Sequence, residues 1–360
     1  MARIALDKQG VEYAVYGGAV LGGGGGGWIE DGLKAGRLAI EVGQLELWTA
    51  DELDDDDWVV TVALVGAPAA EERCVTPAHY LKALELLRRQ LDKPIAGIIT
   101  NEIGAAGAVN GWFQSVVSGL PIVDCPCNGR AHPTGVMGSL NLSDLPGYVS
   151  RQAAVGGAPG RYLEVSVAGT VERAATMIRK ASVEAGGLLA VARNPVALGH
   201  AKRNGAPGAI RKAIAVGKAL RRRQGEAAIA AAVDELGGRV IATGAVTAFS
   251  LETAGGFDVG TVAIGDAYEL TFWNEYMTLE KDGERLATFP DLIMTLEGRT
   301  ARPVVSAEIA KGQEICAIAV PREKLILSTT MRNERLLKPI EDIVHKPILS
   351  FLASGEAGSQ

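Results

Sequence analysis

Three short runs of β-branched and aliphatic residues, WVVTVALVG (58–66), KPIAGIIT (93–100) and LPIVD (120–124), alternate with segments whose apolar residues recur at helical spacing. A strand that is apolar at nearly every position is buried on both faces, which happens where helices cover a largely parallel sheet. TPAHYLKALELLRRQLD (76–92) offers Thr76 as a cap, Pro77 at the first helical position and Leu at helical intervals. GAVNGWFQSVVSG (107–119) reads as a helix, and GVEYAVYGGAVLG (10–22) as an earlier one that ends in a glycine run. The fold class is therefore α/β, with residues 1–158 expected as a three-layer α/β/α domain.

After GGAPGR (156–161) the pattern changes. RYLEVSVAG (161–169) alternates as a strand, TVERAATMIRKASVEAG (170–186) reads as a helix, GLLAVARNPV (187–196) as a strand, and an Ala-rich helix is expected at 209–223. From Arg239 onward, RVIATGAVTAFSLET, GTVAIG, AYELTFWNEYMTLEKDGERLATFP, DLIMTLE, QEICAIAVP and LILSTTM read as short strands, with EKDGER (280–285) as a hairpin turn. Residues 159–350 are thus expected to form a β-rich, barrel-like domain with a helical insertion, followed by a tail at 351–360. Two domains are also what 360 residues call for.

Composition removes several function classes. The net charge is −6 and no basic stripe suits a phosphate backbone, so nucleic acid is not an expected partner. The basic run RKAIAVGKALRRRQ (211–224) reads as the solvated face of a helix. No apolar run reaches the ~18 residues of a membrane span, and MARIALDKQG lacks a signal-peptide core. Four cysteines are too few for a disulfide framework. A cytoplasmic location and a homo-oligomer are expected, with a small cyclic molecule as ligand.

α/β sheets keep their ligand groups in the loops after the strands' C-terminal ends. Three loops qualify: GAPAAEE (66–72), NEIGAAG (101–107) and CPCNGRAHPTG (125–135). The third concentrates Cys125, Cys127 and His132 in a chain with only 4 Cys and 4 His, beside Asp124 and Arg130. Asp124 suits a base, Arg130 a bidentate fork for an anion, and His132 proton movement near neutrality. A thiolate from Cys125 or Cys127 suits a nucleophile or a soft metal, and buried small hydrophobes are the plainer alternative. The Cys-x-Cys spacing is not that of a zinc ribbon. No cofactor is firmly implied, and an open divalent-metal site completed by distant residues stays an option.

Glu102 directly follows a buried strand, where it suits a base or a helix cap, and Asn110 lies just beyond as a binding candidate. GGAVLGGGGGGWIEDG (17–32) lacks the Walker lysine and a preceding strand, so nucleotide binding is not expected. Amides at Gly24, Gly25 and Gly26 could instead face an anion. Asn274, Glu275 and Asp291 are polar breaks in a β region, read as binding candidates against the simpler alternatives of exposure or backbone capping. His79, expected at the surface, and His200 and His345 are set aside.

GGAVLGGGGGG, EIGAAGAVN, GLPIVD…NGRAHP, GGFDVGTVAIG and NEYMTLEKDGERLATFPDLI occur in an order and spacing that resemble the S-methyl-thiohydantoin desulfurase domain family, over about residues 10–345. The resemblance implies a three-layer N-terminal domain, a barrel-like C-terminal domain and a thiohydantoin-type ring as substrate. The family's central loop usually reads Asp-Ala-Asp-Gly-x-Gly-Arg-Ala-Phe-Pro-Glu. Asp124, Gly129, Arg130, Ala131 and Pro133 match it, whereas Pro126, His132 and Thr134 replace an Asp, a Phe and a Glu. This is the pattern of a divergent branch. The expected reaction is hydrolytic desulfurisation: water or a cysteine adds to the C=S carbon, sulfide leaves and a hydantoin remains. Asp124 or Glu102 would be the base and His132 the proton shuttle. The alternatives are a metal-assisted ring-opening hydrolase of a hydantoin or lactam, and a non-catalytic partner of a hydantoinase- or oxoprolinase-type complex.

Overall fold

The computed structural model describes residues 3–67 and 70–353. Its first sheet holds β1 (Ile4–Ala5), β2 (Glu46–Trp48), β3 (Trp58–Gly66), β4 (Gly97–Thr100), β5 (Ile122–Val123), β6 (Ser150–Gly156), β7 (Leu163–Gly169) and β8 (Leu188–Ala197), in the spatial order β1-β2-β5-β4-β3-β8-β6-β7. Strands β2, β5, β4 and β3 run parallel, and the others pair antiparallel. The described helices are α1 (Lys8–Gly22), α2 (Ile29–Val42), α3 (Pro77–Arg88), α4 (Trp112–Ser118), α5 (Val171–Glu184), α6 (Leu198–Asn204), α7 (Ala209–Arg221), α8 (Gly225–Leu236), α9 (Glu334–Val344) and α10 (Leu349–Ala353).

Alternation along the strands builds the three expected layers. Val60, Val62, Ile98, Ala153 and Val155 face one way and pack on Leu84 and Leu87 of α3 and Trp112 of α4. Val59, Ile99 and Val123 face the other way, onto Leu198 and Ala201 of α6. On that same side Ala154 and Val191 meet Ile178 of α5. In the α3 cap, Thr76 N–H donates to His79 Nδ1 at 3.2 Å. That bond buries His79 to 8% exposure, against the expectation of a surface histidine.

The second sheet is wholly antiparallel. It contains β9 (Arg239–Ala254), β10 (Phe257–Ile264), β11 (Tyr268–Trp273), β12 (Glu275–Lys281), β13 (Glu284–Thr288), β14 (Leu292–Glu297), β15 (Pro303–Val304) and β16 (Glu314–Val320), in the order β13-β12-β11-β10-β9-β16-β14-β15. Val262, Phe272, Leu279, Ile293 and Ile315 share one core, and Tyr276 Oη lies 3.0 Å from Thr295 Oγ1 across two strands that are not neighbours. The sheet is therefore strongly curved, but it is open and not a closed barrel.

The expected boundary at 158 does not separate the sheets. β6 and β7 pair along their whole lengths across it, and β8 lies between β3 and β6, so the change of sheet comes after residue 197. LILSTTM is not a strand: it is held locally by 3-10 turns and by Ser328 N–H donating to Asn128 Oδ1 at 3.1 Å. The expected helix at 107–119 is shortened to α4, because Gly111 turns left-handed at φ 96°. Residues 354–360 of the expected tail, and Pro68 and Ala69 of the first candidate loop, lie outside the described residues. Among the described residues, no helix is long and apolar enough to cross a membrane.

Candidate active site

Because β3, β4 and β5 are parallel, the chain leaves all three at the same end of the sheet. The glycine run after α1 enters there too. Its carbonyls bind it to both halves of the protein: Gly23 O accepts Tyr276 N–H at 2.8 Å, Gly24 O accepts Ser306 N–H at 2.9 Å, and Gly26 O accepts Ala106 N–H at 3.0 Å. A Cβ on Gly104 would stand 2.3 Å from the Gly26 Cα, so the two loops meet backbone to backbone.

Between these segments lies a cavity of 90 Å³. That is well below the roughly 300–1,000 Å³ of sites for drug-sized ligands, and suits a small ring. Gly26, Gly27 and Trp28 form one side, Glu102, Asn110 and His132 the floor, and Arg73, Arg179, Arg193, Asn274 and Glu275 are among the other polar lining residues. The loops after β3, β4 and β5 do converge here, since Arg73, Glu102 and His132 share this one space.

Glu102 Oε2 lies 3.4 Å from His132 Nε2 and accepts the His132 backbone N–H at 3.3 Å. Burial pushes the Glu102 carboxyl up to about 7, only partly opposed by the His132 N–H and by the charges of Arg193 and Arg179. His132 moves the opposite way. Burial, helped by Arg193, holds it down at about 3, so its ring is neutral across the physiological range and is no cationic shuttle. Of this pair, Glu102 is the one that titrates near neutrality.

Arg73, Arg179 and Arg193, which sequence patterning did not single out, also line the cavity. Arg193 of β8 donates from Nη2 to Asn101 Oδ1 at 2.6 Å, and Asn101 Nδ2 reaches Glu102 Oε2 at 3.3 Å. Arg179 of α5 is fixed by the carbonyls of Gly256 at 2.7 Å and Pro133 at 3.3 Å, with its guanidinium over the Phe257 ring. A charge inside the apolar run LLAVARNPV was the available signal for Arg193.

Seven of the expected site residues do not line this cavity: Asp124, Cys125, Cys127, Arg130, Asp291, Gly24 and Gly25. Asp124 Oδ1 accepts Ile210 N–H at 2.8 Å, its Oδ2 accepts Arg211 N–H at 3.3 Å, and the Arg211 Nε lies 3.3 Å from the same oxygen. It is therefore the anion at the start of α7. Cys125 and Cys127 sit in an apolar cluster with Val59, Ile99 and Leu198. Burial raises both thiols, Cys127 to about 11 even with Thr61 Oγ1 at 3.1 Å. These are the small buried hydrophobes of the plainer reading. Arg130, fully buried over the Phe289 ring, donates from Nη1 to the carbonyls of Pro290, at 3.0 Å, and Asp291. The Asp291 carboxylate is occupied by Thr288 N–H at 3.2 Å and Arg322 N–H at 2.9 Å.

Of the three expected glycine amides, only Gly26 lines the cavity. Gly24 and Gly25 border a separate small space with Asp258 and Ser306. Gly24 N–H points to Met294 Sδ at 3.2 Å and Gly25 N–H to Gly22 O at 3.2 Å, so neither is open to an anion. Asn110, Asn274 and Glu275 do line the cavity. Asn274 acts mainly as a corner: it adopts φ 56° and its Oδ1 accepts Asp258 N–H at 2.8 Å. Among the described residues, no group of three or more His, Cys, Asp or Glu side chains is placed to hold a metal ion.

Comparison with protein families matches residues 9–158 to the S-Me-THD-like N-terminal domain and residues 169–335 to the S-Me-THD-like C-terminal domain. The chain belongs to the S-Me-THD-like family. Both domains of the family are thus present in order, and membership points to thiohydantoin-related function. The crystal structure of a protein from Chromobacterium violaceum is similar with a TM-score of 0.71 at 22% identity, covering 95% of this chain and 96% of that one. At that identity the likeness shows the fold and nothing of the chemistry. No curated protein matches. In this S-Me-THD-like chain, then, Asp124 and Arg130 are not among the residues lining the cavity, whereas Glu102 and His132 are.

Proposed function

We propose that this chain is an enzyme that hydrolytically desulfurises a thiohydantoin-type five-membered ring, releasing sulfide, or a thiol from an S-substituted ring, and leaving the hydantoin. The observation that carries this reading is Glu102: a carboxyl lifted to about 7 in a small cavity lined by the guanidiniums of Arg73, Arg179 and Arg193, within an S-Me-THD-like chain. Ionised Glu102 takes a proton from water as the water oxygen adds to the carbon bearing sulfur. Neutral His132 and Asn101 hold the carboxylate in place. Arg179 and Arg193 face the charge that develops on the ring.

The test is incubation of the purified protein with 2-thiohydantoin and its S-methyl derivative, following sulfide, methanethiol and ring opening together. Release of the sulfur species with the ring intact, reduced about 100-fold or more in Glu102→Gln, supports the reading. Ring opening without sulfur release, or no turnover of either compound, overturns it.

A further inference from the structure

Glu275 opens β12 directly after the left-handed corner at Asn274, which aims its side chain into the cavity. The residue is only 2% exposed. Its Oε1 lies against the Gly25 backbone, where a Cβ would come within 1.9 Å of it, so the missing side chain at Gly25 makes its room. Its Oε2 has no hydrogen-bond partner among the described residues. A buried carboxyl at the cavity's lining with one oxygen lacking a hydrogen-bond partner is placed to bond a ligand there. The charged groups that act on it are Glu102 in the same cavity, Arg130 from the loop after β5 and Arg179 from α5. Two carboxyls buried in one small space do not both ionise readily.

We infer that Glu275 enters the reaction as a neutral carboxylic acid and gives its proton to the departing sulfur, opposite Glu102 as base. This rests on the desulfurisation reading. Burial, and then the charge of Glu102, hold the Glu275 carboxyl well above the ordinary carboxylate range, which suits the role. The steps balance. Water oxygen bonds to the ring carbon, the C=S or C=N π pair moves onto its heteroatom, and Glu102 takes the water proton. Glu275 then protonates sulfur as the C–S bond breaks, and the pair in that bond leaves with sulfur as a neutral thiol or hydrogen sulfide. The hydroxyl left on carbon becomes the carbonyl, its proton passing to the Glu275 carboxylate. Before sulfur leaves, Glu102 passes its proton to the heteroatom that received the π pair, so that a C=S sulfur departs as hydrogen sulfide with one proton from each carboxyl, and a ring nitrogen of the S-substituted ring ends as N–H.

The test uses the whole chain and a series of S-substituted 2-thiohydantoins, from S-methyl, a basic leaving thiolate, to S-nitrophenyl, a weakly basic one. In Glu275→Gln, kcat for the S-methyl ring is expected to fall about 100-fold or more, and for the S-nitrophenyl ring only a few-fold, with KM little changed. An equal loss across the series overturns the assignment while leaving the desulfurisation reading in place. Absence of thiol release by the wild-type protein from any ring removes that reading, and this inference with it. Should Glu275→Gln not fold, the wild type decides: assisted departure gives rates nearly independent of thiol acidity, and a steep dependence overturns the proposal.

Discussion

Asp124 and Ile210 are joined across 86 positions of sequence, the Asp124 Oδ1 accepting the Ile210 N–H at 2.8 Å where α7 begins. The free N–H groups of a helix start are satisfied by such an oxygen, and the helix dipole favours its charge. This capping carboxylate also accepts Arg211 N–H and faces the Arg211 side chain. Asp124→Ala is therefore expected to cost about 1–3 kcal/mol of stability, read by urea denaturation. The kcat of the folded fraction should stay within a few-fold of wild type. A large kcat loss at unchanged stability would return Asp124 to the chemistry.

The cysteines make a parallel case. Cys125 and Cys127 are both 0% exposed, and burial disfavours their thiolates. Neither should react with a thiol reagent such as dithionitrobenzoate in the native protein, and both should react after denaturation. Cys127→Ser keeps a hydrogen-bonding partner for Thr61, so desulfurisation should persist within a few-fold. Inactivation of native protein by a thiol alkylator, blocked by substrate, would place a cysteine in the reaction.

Glu102 predicts two pH effects of opposite sense. In its proposed role as base it must be ionised, so kcat/KM should rise through about pH 7 on the acid side, and Glu102→Gln should abolish that limb. Stability runs the other way. The folded protein holds this proton more tightly than the unfolded chain, whose carboxyl titrates near 4.5. The stabilising effect is present in full below that value and is lost as pH climbs to about 7. Glu102→Gln should therefore stabilise the protein at about pH 8, by at most about 3 kcal/mol, and have little effect at about pH 4. Thermal denaturation at the two pH values reads the difference.

The features that were legible in the sequence are those fixed by near neighbours. The apolar run of β3, the Thr76-Pro77 start of α3 and the Asp282-Gly283 hairpin, at φ 50° and 82°, each carry their cause within a few residues. The loops after three parallel strands were also legible, because sheet direction follows from strand-helix alternation. What was missed depends on distant pairing. Arg193 reaches the cavity only because β8 lies beside β3, with Thr61 opposite Arg193, and no local pattern announces that register. Arg179 arrives because α5 packs on the sheet's other face. The roles of Asp124 and Asp291 were misjudged for the same reason: an acid beside a site and an acid holding N–H groups of a distant segment look alike until the partners Ile210 and Arg322 are known.

The contact of Gly26 with Gly104 gives a last prediction that separates close approach from mere glycine content. A Cβ at Gly104 would lie 2.3 Å from Gly26 Cα and 2.6 Å from Gly26 O, both backbone atoms that no rotamer change can clear. Gly104→Ala must push the glycine run away from the loop carrying Glu102, at a cost of about 1–3 kcal/mol. Because Gly26 O accepts the Ala106 N–H, the shift should also disturb the cavity floor and raise KM. Gly22 faces the same loop but differs in space: its Cβ would meet Gly104 Cα at 3.5 Å, an ordinary contact, and it is the last residue of α1. Gly22→Ala should therefore be neutral, or stabilising by up to about 1 kcal/mol. Thermal melts and steady-state kinetics of the two variants side by side make the comparison. Equal effects would mean that the meeting of the two loops is not set by the missing side chain at Gly104.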